Sequence, residues 1–141
     1  LFKPGSALAI LDLFGWRIGL LVCFDIEFPE ICRALVERGT DLLVVAGAWP
    51  AEHIRIWKTL LVARAIENQV FTVGVNRCDK GPLVRFGGRS LVVDPFGDTL
   101  LQLDDRPVTE LAWLRKDLVD KARNTHAVWS SRRQDLYRKW R

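Results

Sequence analysis

The apolar residues of this chain fall into short runs separated by turn residues and by two stretches with helical spacing. Residues 17–22, 41–46 and 70–75 are apolar runs of strand length, and residues 7–13 lead into a Phe-Gly-Trp turn. Short runs of this kind, bounded by glycine and polar residues, predict largely buried strands. We therefore expect a hairpin over residues 7–22, followed by further strands of the same sheet.

Two helices are predicted between these strands. Pro29 suits a first helical turn and Gly39 suits the position just beyond a helix, so we predict a helix over about 29–38. A second, amphipathic helix is predicted over 51–67, where Arg64 and Glu67 lie three residues apart and can pair. The order strand, helix, strand predicts parallel strands with a right-handed crossover, and therefore an α/β fold.

The last third of the chain predicts a second hairpin and a polar tail. Residues 91–93 and 99–103 flank an Asp-Pro-Phe-Gly-Asp turn. Residues 108–113 favour a last strand, and the polar stretch 115–123 favours a helix. Isolated aromatic residues in the basic tail are typical of anchors that dock on another surface, and they are Trp129, Tyr137 and Trp140.

Composition narrows the class of protein. The 141 residues, of which 49% are hydrophobic, suffice for one domain with a real core. No apolar run reaches transmembrane length and the first residues lack a signal-peptide pattern, so we expect a cytoplasmic protein that does not bind membranes. The net charge of +4 is modest and acidic residues interrupt the basic tail, so we expect no nucleic-acid binding. Because the chain has no methionine, we do not expect Leu1 to be its natural start.

The cysteines and histidines do not predict a metal site. Cys23, Cys32 and Cys78 are odd in number and lack C-x-x-C spacing, which argues against both a disulfide framework and zinc, and we expect no cofactor. His53 has no second ligand at a metal-like spacing, so we interpret it as a helix-start or surface residue. Ser90 lies outside a G-x-S-x-G context, which excludes a serine nucleophile of that type.

Cys23 stands apart because it follows a predicted buried strand and shortly precedes the predicted helix at Pro29. Backbone N–H groups at such a junction stabilise a thiolate or an oxyanion. A buried structural cysteine is the alternative interpretation of this local pattern. Trp49 ends the next strand, and ligands of open α/β sheets bind beyond the carboxyl ends of strands. We therefore expect Cys23 and Trp49 to lie near each other, with Trp49 either a pocket wall or a cover of the core edge.

The residues CFDIEFPE at positions 23–30 resemble the nucleophile segment of the nitrilase superfamily, the carbon–nitrogen hydrolases. The resemblance covers nearly the whole chain, continuing through residues 41–50, 57–69, 76–77, 88–97 and 133–137. It implies a four-layer α-β-β-α sandwich of two packed sheets. It also implies a homodimer or a higher homo-oligomer.

The resemblance implies hydrolysis of a non-peptide C–N bond in a small-molecule amide, carbamoyl compound or nitrile, with an amidase-like branch favoured. Cys23 would be the catalytic nucleophile and would carry a thioester intermediate. Substrate-binding positions implied by the resemblance are Phe24, Glu27, Ala48 and Trp49. Glu27 departs from the arginine that is commonest in the family, which leaves the charge of the substrate open.

The catalytic triad of the family is Cys, Glu and Lys, with the Glu as general base and the Lys stabilising the tetrahedral intermediate. The Glu and Lys have no counterpart in this chain, and Lys3 does not occupy the family position. We therefore expect residues 1–141 to be the carboxyl-terminal portion of a single carbon–nitrogen hydrolase domain, with an incomplete sandwich and no activity without the missing portion. The alternative is a non-catalytic fragment or pseudoenzyme that acts as a binding or assembly module.

Overall fold

The computed structural model describes residue 3 and residues 5–140. Predictions that concern the start of the chain at Leu1 and the last basic residue, Arg141, lie outside the described residues. Within them the strands form one six-stranded mixed sheet in the order β1-β2-β3-β4-β5-β6. The strands are β1 (Ala9–Leu13), β2 (Trp16–Val22), β3 (Leu42–Gly47), β4 (Phe71–Asn76), β5 (Leu91–Val93) and β6 (Thr99–Gln102).

The two predicted hairpins are confirmed. Strands β1 and β2 are antiparallel with Leu13 opposite Trp16, so Trp16 begins the second strand and does not belong to the turn. The two turn residues, Phe14 and Gly15, have φ values of +48° and +79°. Positive φ at both central residues is the turn geometry that matches the twist of a hairpin. Strands β5 and β6 form the second antiparallel pair.

Strands β2, β3 and β4 are parallel, as the order of elements predicts. Helix α1 (Pro29–Glu37) connects β2 to β3, and helix α2 (Ile54–Asn68) connects β3 to β4. Gly39 follows the end of α1 with a φ of +86°, a conformation that glycine adopts without steric cost. The chain therefore contains two successive strand–helix–strand units.

Helices α1 and α2 cover one face of the sheet and form the main core. Gly74 of β4 lies so close to α2 that an added Cβ would come within 2.4 Å of the Leu61 side chain. Fully burying one large apolar side chain contributes roughly 2 to 3 kcal/mol. The large buried residues of this core include Leu21, Leu35, Leu43, Val45, Trp57, Leu61 and Val93. No helix of the described residues is long and apolar enough to cross a bilayer.

The opposite face of the sheet is covered only in part. Helix α3 (Asp117–Thr125) packs Val119 against Leu42 and Phe71, at the amino ends of the parallel strands. Elsewhere on this face, four apolar side chains of β1, β2 and β4 that point away from α1 and α2 are between 43% and 67% exposed, and they are Leu11, Leu20, Val22 and Val75. We call these four residues the open face.

The prediction of a strand over residues 108–113 is wrong. These residues have no regular secondary structure, and they lead from β6 toward α3 across the exposed surface. Leu111 and Trp113 are exposed. A strand needs a neighbouring strand to satisfy its N–H and C=O groups, and an apolar pattern alone does not supply one.

The aromatic residues of the tail have two different environments. Trp129 packs against the main core, and its ring lies 3.5 Å from the guanidinium carbon of Arg132. Trp129 therefore anchors the tail on its own chain. Tyr137, at the end of α4 (Gln134–Tyr137), and Trp140 pack on each other with ring centres 5.9 Å apart and stay exposed.

Candidate active site

Cys23 lies directly after β2, at the first residue of a 3₁₀-helical turn formed by Cys23–Glu27, which we call the nucleophile turn. Helix α1 begins only at Pro29, so the thiol lies one short turn before the helix and not at its first N–H groups. The half-buried Cys23 has a φ of +48°. Holding a residue that carries a Cβ in this region costs about 1 to 3 kcal/mol, so surrounding contacts must maintain the turn.

Asp25 closes the beginning of the nucleophile turn. Its carboxylate Oδ2 accepts the Val22 N–H at 2.9 Å, and its carbonyl accepts the Phe28 N–H at 3.2 Å. These bonds satisfy backbone donors on both sides of the turn. The aspartate two residues after Cys23 therefore has a structural role in shaping the turn.

A backbone N–H just after the neighbouring strand β3 points at the thiol. Val22 lies opposite Ala46 in the parallel pair of β2 and β3, which brings the residues after both strands together. The Ala48 N–H donates to Cys23 Sγ at 3.5 Å. The prediction that Cys23 lies near the segment containing Trp49 is confirmed, but the donor is the N–H of Ala48, directly after β3, and not an N–H of α1. A fixed N–H at this position favours negative charge on or near the sulfur.

A buried amide holds the segment that carries this donor. Asn76 Oδ1 accepts the Trp49 N–H at 2.7 Å, and Nδ2 donates to the carbonyls of Trp49 at 3.3 Å and Gly88 at 2.8 Å. The Asn76 N–H in turn donates to Ser90 Oγ at 3.0 Å. Sequence reasoning gave Asn76 no individual role and missed this network. The available signal was a polar residue at the carboxyl end of a buried parallel strand.

Trp49 lies beside the site but almost wholly inside the protein, with 5% of its surface exposed. Its ring packs against Trp57 with ring centres 5.8 Å apart. Trp49 Nε1 has no hydrogen-bond partner among the described residues. An unsatisfied buried donor is uncommon, and such groups often bind water or a ligand.

The other two predicted substrate contacts share the turn with Cys23. The Phe24 side chain is 61% exposed and packs edge-to-face on Phe28, with ring centres 5.0 Å apart. Glu27 is exposed at the end of the turn. The structure therefore brings Phe24, Glu27, Ala48 and Trp49 around one end of two adjacent strands.

Arg64 of α2 supports the nucleophile turn from the core. Its predicted pairing with Glu67 is confirmed, with Nη1 3.0 Å from Oε1. Sequence reasoning missed its two other bonds, from Nε to the Ile26 carbonyl at 3.0 Å and from Nη2 to the Glu27 carbonyl at 3.1 Å. The predicted helical spacing indicated the ion pair, but contacts between distant segments carry no signal in a local pattern.

The remaining candidate residues lie away from this arrangement. Cys32 lies in α1 and is fully buried, and burial raises the pKa of its thiol to about 11, although the Arg64 charge acts in the opposite direction. Cys78 lies in the loop after β4, and all three cysteines are free. His53 is exposed at the start of α2. Residue 3 and residues 5–140 contain no group of three or more His, Cys, Asp or Glu side chains that could hold a metal ion.

The parallel strands, their crossover helices and the cysteine turn at a strand end define an α/β protein with a candidate nucleophile site. The carbon–nitrogen hydrolase family model matches residues 1–123, and the chain belongs to this family. A 2-oxoglutaramate amidase of Paenarthrobacter nicotinovorans is 40% identical over 119 residues, which cover 84% of this chain and 40% of that protein. The omega-amidase YafV of Escherichia coli (strain K12) is 35% identical over 141 residues, covering 99% of this chain and 54% of that protein.

Solved structures show the same fold. A mutant amidase of Nesterenkonia sp. AN1, with the acetamide moiety of fluoroacetamide covalently added at its active site cysteine, superposes with a TM-score of 0.85 at 33% identity, covering 99% of this chain and 50% of that one. A CN-hydrolase superfamily protein of Xanthomonas campestris, with an arsenic adduct in its active site, superposes with a TM-score of 0.86 at 30% identity. The match covers 93% of this chain and 52% of that one. The nitrilase-like α/β fold is therefore confirmed.

The chain spans about half the length of the curated relatives it matches, 40% and 54% for the two amidases above. The family match over residues 1–123 does not support the prediction that the chain is a carboxyl-terminal half.

Proposed function

We propose that this chain carries the nucleophile of an amidase that hydrolyses the C–N bond of a small-molecule amide, and that Cys23 is this nucleophile. The observation that carries the proposal is the Ala48 N–H directed at Cys23 Sγ, at 3.5 Å, beyond the carboxyl ends of two parallel strands. Family membership and the amidases among the matched relatives support the same chemistry.

In the proposed reaction the Cys23 thiolate attacks the amide carbon, and the carbonyl electrons move to its oxygen. Collapse of the tetrahedral intermediate breaks the C–N bond, and the departing nitrogen takes up a proton and leaves as ammonia or an amine. Water then attacks the thioester, which releases the carboxylic acid and restores the thiol. A general base and a cation for the oxyanion are needed, and we propose that the Glu and Lys implied by the family resemblance supply them from outside residues 1–141.

We propose that Phe24, Glu27, Ala48 and Trp49 contact the substrate. Phe24 offers an exposed aromatic surface beside the thiol, and Trp49 Nε1 is a donor without a partner among the described residues. Exposed Glu27 offers a carboxylate to a polar or cationic part of the substrate.

We further propose that the open face packs against a second sheet in a four-layer α-β-β-α sandwich. Val22 and Val75, which flank Ala46 across three adjacent strands, are 67% and 57% exposed beside the site. Exposed apolar surface of this extent is typical of a face that another layer covers. Residues 1–141 would then be the carboxyl-terminal portion of one domain, and assembly into a homodimer or higher homo-oligomer stays a prediction.

The proposed nucleophile is tested by trapping the adduct. The whole protein, which supplies the proposed Glu and Lys, is incubated with fluoroacetamide, and intact mass and peptide mapping identify the modified residue. We expect an adduct on Cys23, its loss in Cys23→Ala and its retention in the control Cys78→Ala. Ammonia release from small amides by the whole protein is expected to fall at least about a thousandfold in Cys23→Ala. An adduct only on Cys78, or unchanged ammonia release, would contradict the proposal and favour a non-catalytic binding or assembly module.

A further inference from the structure

One buried arginine contacts the end of the nucleophile turn from the opposite side to the solvent. We propose that Arg64 is a positioning residue for Cys23, whose guanidinium fixes the nucleophile turn so that Sγ stays in contact with the Ala48 N–H. The proposal rests on the proposed function of Cys23 as the nucleophile.

The contacts of Arg64 join α2 to two consecutive carbonyls of the turn. Arg64 is 6% exposed, and its Nε and Nη2 atoms donate to the carbonyls of Ile26 at 3.0 Å and Glu27 at 3.1 Å. Ile26 itself is fully buried in the main core. Asp25 closes the beginning of the turn with local bonds, whereas the Arg64 bonds join its end to α2, a separate element.

The nucleophile turn needs such support because its backbone is strained. A 3₁₀ turn has poorer hydrogen-bond geometry than an α-helix, and the φ of +48° at Cys23 adds a steric cost. The bond from Ala48 N–H to Sγ is already 3.5 Å long. A small relaxation of the turn toward negative φ would therefore move the sulfur away from its donor.

The geometry of these contacts requires a guanidinium. Its planar fork presents two donors to adjacent carbonyls at once, whereas a lysine ammonium is a single point of charge. Glu67, 3.0 Å from Arg64 Nη1, balances the buried positive charge that would otherwise be costly. The charge pair and the carbonyl fork are thus separate contacts, and separate substitutions remove them.

The test compares the alkylation rates of two thiols, Cys23 and Cys78, within the same folded chain. Arg64→Lys keeps the positive charge beside Glu67 but loses the fork to the two carbonyls. Iodoacetamide labelling is followed by peptide mass spectrometry at Cys23 and at Cys78 across neutral and mildly alkaline pH. We expect the Cys23 rate at neutral pH to fall about fivefold relative to Cys78, as for the loss of one hydrogen bond, and the pH profile of labelling to move only for Cys23.

Two matched variants separate positioning from stability. Arg33→Lys makes the same substitution at a neighbouring arginine, which donates to the Glu67 carbonyl at 2.8 Å and not to the turn. Glu67→Gln removes the charge partner and keeps the fork. Both should lower thermal stability while leaving the ratio of the Cys23 and Cys78 rates unchanged. If Arg64→Lys does not fold, the neutral double variant Arg64→Gln with Glu67→Gln is compared with Glu67→Gln alone, and the same fall is expected.

A lower melting temperature in Arg64→Lys with an unchanged rate ratio and pH profile would overturn the positioning role. The labelling rates of the unchanged chain test the proposed nucleophile. If iodoacetamide labels Cys23 no faster than Cys78 there, the proposed function is contradicted. The ratio between variants would still report whether Arg64 holds the turn, so the two failures are distinguishable.

Discussion

Cys23 and Cys32 are nine residues apart in one continuous segment, yet the structure gives the two thiols opposite surroundings. Cys23 is half-buried on a strained turn, with the Ala48 N–H 3.5 Å from its sulfur. Cys32 is fully buried in α1, and burial raises the pKa of its thiol to about 11. Their reactivity therefore depends on which strand or helix packs around each sulfur, not on their neighbours in the sequence.

The two sites differ physically in how their surroundings affect the negative charge of a thiolate. Removing water from around Cys32 penalises the thiolate more than the nearby Arg64 cation stabilises it. At Cys23 a fixed backbone dipole points at the sulfur, and the residue is only half-buried. A cation close to a thiol is therefore no guarantee of a reactive thiol when burial dominates.

The largest expected effect is the difference in alkylation rate between the two thiols. With a pKa of about 11, only about one in ten thousand Cys32 side chains is ionised at pH 7. We expect iodoacetamide to label Cys23 more than about a hundredfold faster than Cys32 in the folded chain. In denaturant the two rates should converge. Equal rates under folding conditions would show that the two environments do not differ as the structure indicates.

A smaller effect is expected in the dependence of stability on alkaline pH. The folded state retains the Cys32 proton up to a pKa of about 11, whereas the unfolded chain releases it near 9.0. This contribution to stability is fully present below pH 9.0 and is lost as the pH rises to about 11. The difference amounts to about 2 to 3 kcal/mol of unfolding free energy.

Urea unfolding at pH values below and above this window measures the loss. Other groups titrate in the same range, so the informative quantity is the difference between the unchanged chain and Cys32→Ala. The variant should lose less unfolding free energy on going to alkaline pH, while the control Cys78→Ala should behave like the unchanged chain. Parallel pH curves for all three proteins would show that Cys32 is not protected by burial.

The smallest expected effect tests backbone strain. Because Cys23 has a φ of +48°, glycine avoids the Cβ penalty there, and Cys23→Gly should be more stable than Cys23→Ala by up to about 1 kcal/mol. Cys32 lies inside α1, where Cys32→Gly should instead be less stable than Cys32→Ala by about 1 kcal/mol. Thermal unfolding of the four variants checks this reversal. The same sign at both positions would contradict the strain at Cys23.

Local patterns predicted much of the fold. The hairpin turn at Phe14 and Gly15, the start of α1 at Pro29 and the glycine after its end follow from backbone preferences of single residues. The prediction failed where pairing decides the structure: residues 108–113 have an apolar pattern but no strand to pair with. The role of Asn76 was also missed, because its side chain bridges two backbone segments that are distant in the sequence.

The sequence by itself determined the order of strands and helices as far as β6, the position of Cys23 between β2 and α1, and the spacing of Arg64 and Glu67. These features depend on preferences and periodicities within a few residues. Only the tertiary structure decided that the donor to Cys23 comes from Ala48, that Asn76 holds the end of β3 and that Arg64 binds the nucleophile turn. Each of these contacts joins residues separated by 25 or more positions. Their geometry arises from the register of the parallel strands and the packing of α2, which no local pattern specifies.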